Sequence, residues 1–164
     1  MNRSFISRLA LLPALFLVAA CSKDEAQSTP AAGKPLGAVC MGATGVSRSK
    51  SPSDARVFFI TPSDGDIVSG TVKLEFGLEG MEVARSGDDR LSSGHHHLII
   101  DQDLPLLTLP VPADENHVHF GDGSTSTELT LAPGEHTLQL LLGDHLHIPH
   151  DPPLFSERIR ITVE

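Results

Sequence analysis

The chain has 164 residues, a formal net charge of −9, nine histidines, two cysteines, and neither Trp nor Tyr. That length fits one domain with a leader and a tether. With 12 Lys and Arg against 21 Asp and Glu, the chain is no nucleic-acid binder and has no basic surface for anionic lipid headgroups, but it attracts cations.

Residues 1–20, MNRSFISRLALLPALFLVAA, read as a signal peptide. Arg3 and Arg8 give a positive start, and Leu9 to Ala20 form an apolar run too short to span a bilayer. The run ends in VAAC, which resembles the bacterial lipobox, whose Cys becomes the acylated first residue of the mature chain. Cys21 is therefore the expected lipidation site, anchoring the protein by acyl chains rather than by a helix. Ser22 follows where an Asp would signal retention. By analogy with enteric lipoproteins, the expected location is the outer membrane, facing the periplasm of a bacterial cell envelope. Once Cys21 is acylated only Cys40 remains, so no intramolecular disulfide can form.

Residues 21–54 are rich in Ser, Ala, Gly, Pro and Lys without periodicity, the composition of a flexible tether. Cys40 and Met41 form a small apolar interruption there, read as chance rather than as soft copper ligands. From residue 55 to 164 the pattern changes to short strands separated by turn residues. ARVFFI is the first. IVSGTVKLEFGL is the second, with Val72, Leu74 and Phe76 on one face and Thr71, Lys73 and Glu75 on the other. HHHLIID is the third, a short strand ending in HVHF the fourth, and ELTL the fifth. HTLQLLL is the sixth, with Leu138, Leu140 and Leu142 aligned, and RIRITV the seventh, with Ile159, Ile161 and Val163 aligned. Alternation with one apolar face predicts an all-β fold, an immunoglobulin-like antiparallel β-sandwich of about seven strands.

The segments FFITPSDGDIVSGTVKLEFGLEGMEVA, GHHHLIID, PVPADENHVHFGDGSTSTELTLAPGEHTLQLLLGDHLHIPHDPP and the final strand resemble the bacterial family of domain of unknown function 4399. The resemblance spans about residues 57–163 and includes every histidine cluster. It implies an exported bacterial domain and brings no established activity.

The histidines supply the chemistry. In the antiparallel sandwich, the loops flanking strands three, four and six to seven fall at one end, which gathers every histidine except His136 there. On a strand, residues i and i+2 share a face about 7 Å apart, so an H-x-H pair can close on one ion. There are three such pairs: His95/His97, His117/His119 and His145/His147. With His150 they make the candidate ligand set for copper or zinc, since imidazole suits both and the domain offers no thiolate. His96, Met81, Asp122, Asp144 and Asp151 are further candidates, as direct ligands or as groups orienting the imidazoles. No catalytic residues are expected. HVH also occurs in copper–zinc superoxide dismutase, but that family's zinc-loop pattern and disulfide cysteines are missing. No GxSxG context and no phosphate-cradling glycine loop occurs. The expected function is metal binding for buffering, delivery or sensing, with a metal donor or acceptor protein as partner. The alternative is a non-catalytic envelope adaptor whose histidines organise loops.

Overall fold

The computed structural model describes residues 47–164. The signal peptide, Cys21 and Cys40 lie outside the described residues. All regular structure among the described residues is β: β1 (Arg56–Thr61), β2 (Ile67–Val68), β3 (Thr71–Glu79), β4 (Glu82–Val83), β5 (Ser93–Ile100), β6 (His117–His119), β7 (Ser126–Thr130), β8 (Gly134–Gly143) and β9 (Ile159–Val163). They form two sheets. One is three-stranded and antiparallel, in the order β1-β3-β7; the other runs β2-β9-β8-β5-β4, with β6 also paired to β5.

The sheets stack because each has one apolar face. Val57, Val72, Leu74 and Phe76 of the smaller sheet meet Leu98, Ile100, Leu138, Leu140, Leu142, Ile159, Ile161 and Val163 of the larger one in a single buried cluster. Fully burying a side chain of this kind stabilises by about 1.5–3 kcal/mol, so a core of this size needs no cross-link. The alternation expected in the second and seventh predicted strands is present; in the sixth, Leu138, Leu140 and Leu142 join the core as expected, but Gln139 and Leu141 on the other face are buried too. The second strand itself is divided, however. Gly70, at a φ of 73°, turns the chain out of β2, which runs parallel to β9, and into β3 in the opposite sheet.

Two further differences place the candidate site. The fourth predicted strand, β6, pairs antiparallel with β5, with His97 opposite His119 and Ile99 opposite His117. The stretch before it, with Pro105, Pro110 and Pro112, cannot continue a ladder and instead folds over the outer face of the larger sheet. There Leu104, Leu107 and Val111 pack on Ile99 and Leu141 as a second, smaller core. The outer face of β5 is therefore roofed, not open to water.

Residues within the stretch read as a tether, 48–51, contact the domain. Lys50 pairs in parallel with Asp151, and Arg48 Nε donates to the Pro149 carbonyl at 2.9 Å. Ser49 Oγ donates to Asp144 Oδ2 at 2.8 Å. These contacts tie residues 48–51 to the loop that carries the last histidine cluster.

Candidate metal centre

Strand β5 alternates, so His95, His97 and Ile99 point outward beneath the roof, while His96, Leu98 and Ile100 point into the sandwich. Pairing of His97 with His119 puts the His119 ring on the same outer face. The loop after β8 brings His147 over it. The ring centroids of His95, His97 and His119 lie 4.8, 4.9 and 5.1 Å apart. His147 lies 5.0 Å from His95, 5.9 Å from His97 and 4.7 Å from His119. One ring nitrogen from each of His95, His97 and His119 falls within a common 4.8 Å. Ligand nitrogens around a tetrahedral zinc, at metal–nitrogen distances of about 2.0–2.1 Å, sit roughly 3.4 Å apart. Side-chain rotations would have to bring the rings closer by about 1.4 Å to reach that spacing.

Local sequence makes room for these rings. A Cβ at Gly143, opposite His95 on β8, would stand 2.6 Å from His97 Cε1 and 3.1 Å from its Nδ1. A Cβ at Gly121 would run into the His119 ring. Asp144 shapes the loop: its Oδ1 accepts from the backbone N–H of Leu146 at 2.9 Å and of Ile148 at 3.0 Å, while Oδ2 is held by Ser49. Within that turn His147 adopts a left-handed φ of 66°, a conformation an L-residue takes only where its surroundings enforce it. Its backbone carbonyl accepts from Val111 of the roof at 2.9 Å, and its Nε2 meets Ser86 Oγ at 3.0 Å.

The electrostatics suit neutral ligands. Burial, reinforced by the neighbouring His119 and His147, pushes the His95 pKa down to about 4. Burial and the adjoining histidines push that of His97 to about 2. His119 is lowered as well, by burial and by His147. These imidazoles therefore keep a free lone pair at neutral pH. Neither nitrogen of His95, nor Nδ1 of His97, has a hydrogen-bond partner among the described residues, although both side chains are fully buried. Each unmet group costs about 1–3 kcal/mol. A bound zinc returns about 10–16 kcal/mol in small structural sites, so an ion would outweigh the penalty by a wide margin.

The other sequence candidates separate. His117, on the same strand as His119, stays out of the ring cluster; its Nδ1–H donates to Asp114 Oδ1 at 2.8 Å. His145 is half-buried and also stays out, because residues 144–148 form a turn in which i and i+2 do not share a face. His150 is buried with its Nε2–H donating to the Ser93 carbonyl at 3.2 Å. His96 lies on the inner face with its ring 5.3 Å from Phe76. Met81 packs against the main core. Asp122 closes a turn by accepting the Ser124 N–H at 2.9 Å, and Asp151 pairs with Lys50 and Arg48. Asp144 organises the loop. The cluster thus takes one full H-x-H pair and one member of each of the other two. Ser86, Gly121 and Gly143 were not foreseen, since nothing in the chain marks a single serine or glycine as neighbour to a remote histidine.

A family model described as Domain of unknown function (DUF4399) matches residues 74–164, which include all nine histidines. The chain belongs to this family. No curated protein matches it. Among solved structures, the Clostridium thermocellum CbhA fibronectin(III)-like modules are similar at 11% identity, with a TM-score of 0.31, over 65% of this chain and 92% of that chain. The sandwich architecture itself rests on the strand pairing above.

Proposed function

We propose that this DUF4399 domain binds a transition metal, copper or zinc, through His95, His97 and His119 with His147 beside them. The observation that carries the reading is His95: a fully buried imidazole with two unpartnered nitrogens, ringed by three more imidazoles at 4.8–5.0 Å. His96, equally buried with unpartnered nitrogens, has only Phe76 against its ring, so it is the convergence of imidazoles that sets His95 apart. The cellular role is metal buffering, delivery or sensing without catalysis, in a domain held to the bacterial envelope by acyl chains on Cys21. A metal-donor or acceptor protein is the partner this role implies. Exposed Leu106, Leu109 and Leu146, in the roof and the histidine loop, also favour a protein-binding face, the feature an envelope adaptor would share.

Purified protein, stripped with chelator and titrated with copper(II) or zinc, should take one equivalent and melt at a higher temperature, because the ion binds the folded form. Binding no tighter than that of an unfolded histidine-rich peptide would overturn the metal reading.

A further inference from the structure

The cluster is not closed on all sides. Beside it lies a cavity of about 220 Å³ lined by His97, His119 and His147 and by Pro110, Val111, Pro112 and Ala113 of the roof. The three nitrogens that gather most tightly belong to His95, His97 and His119, and His147 has its Nε2 engaged by Ser86. Three ligands leave a tetrahedral ion one position short, and three protein ligands plus an exchangeable fourth is the arrangement of open metal sites.

Charge decides what fills that position. Every ligand in the cluster is a neutral imidazole. The acids that His95 and His119 sense, Asp144 and Asp122, are committed elsewhere: Asp144 to Ser49, Leu146 and Ile148, and Asp122 to Ser124. A divalent ion here would carry its full charge against the buried His95 and His97 and a partly apolar wall, with only the exposed His119 side open to water, and charge left uncompensated on the buried side is costly. We infer that the metal site holds an open coordination position facing the Pro110–Ala113 wall, and that this position takes a small anionic ligand of a few heavy atoms. This rests on the metal reading above and adds to it a second binding event.

The test uses the full chain loaded with one equivalent of copper(II) and titrated with sodium azide. A saturable azide-to-copper charge-transfer band is expected, and the neutral ligand acetonitrile should leave the spectrum unmoved. Ala113→Trp, an exposed position on the cavity wall, should load copper as the wild type does but bind azide at least about tenfold more weakly. His95→Ala/His97→Ala should give neither signal. Copper bound at one equivalent with a spectrum indifferent to azide would overturn the open position and leave the metal site standing. Equal azide affinity in Ala113→Trp would overturn the assignment to this cavity. Failure to load copper would show at the first step and would overturn the copper site together with the open position assigned to it.

Discussion

His95 and His97 on the outer face of β5 and His96 on its inner face are neighbours in sequence and alike in burial, and both nitrogens of His95 and His96 and Nδ1 of His97 are buried without a hydrogen-bond partner. What surrounds them differs. The outer pair meets two more imidazoles across β6 and the loop after β8, with two glycines leaving room for the rings. The inner ring meets Phe76, itself packed on Phe59 and Phe120. Burial and unmet hydrogen bonds therefore do not define a metal site; convergence of several lone pairs does. On the inner face the same side chain acts as a flat, nearly apolar ring whose polarity is a cost.

The comparison breaks most directly by substitution. His95→Ala/His97→Ala should lower metal affinity at least about a thousandfold, since two of three close ligands go. His96→Phe should leave affinity within about twofold and hold or raise stability by up to about 1 kcal/mol, because it removes a buried polar group and keeps the shape. Calorimetric titration and thermal unfolding of both variants would read this. An outer double variant that binds as tightly as His96→Phe would erase the distinction between the faces.

Acid sharpens it. His95 and His96 both have folded pKa values near 4, against 6.5 when exposed, so the unfolded chain takes up their protons first. Stability of the metal-free domain should therefore hold above pH 6.5 and fall as the pH drops toward 4, and His97, with a folded value of about 2, should carry the loss on below that. The loss should be roughly 3 kcal/mol for each of the two groups. His96→Phe should remove the inner share of that slope. Bound metal should steepen the outer share, since protons then compete for the ligand lone pairs. Denaturant unfolding between pH 4 and 7.5 measures the slopes; a wild-type profile flat across this window would show that the rings are not buried as neutral groups.

Much of this was legible in the chain. Alternation gave the strands and hence the two faces of β5, and H-x-H spacing put His95 and His97 among three candidate pairs. What spacing could not supply was the partner of β6. Its pairing with β5 moved the site from the end of the sandwich to a roofed outer face. Nor could i and i+2 logic survive where the backbone is not extended. His147 is brought in by a left-handed turn that Asp144 holds, which turns His145 away. His117 is drawn off by Asp114, three residues before it, a contact that depends on the turn between them.

The smallest expected effect has the opposite sign and comes from the histidine outside every cluster. His136 Nδ1–H donates to Asp101 Oδ2 at 2.7 Å, and Nε2 meets the Ala132 carbonyl at 2.8 Å. Both partners are acceptors, so this geometry favours the protonated ring, which can donate from both nitrogens. The Asp101 hydrogen bond accordingly raises its pKa above the ordinary 6.5. A raised folded pKa means stabilisation fully present below the unfolded value and lost as the pH climbs through the folded one. The pair is partly exposed and so screened, which keeps the contribution below about 1 kcal/mol. His136→Gln should therefore be less stable than wild type at pH 6 and equal to it at pH 9, with metal affinity unchanged at either. A deficit that persists undiminished at pH 9 would show that the ring acts by packing rather than by charge. A loss of metal affinity in this variant would mean that the site extends across the sheet to Asp101.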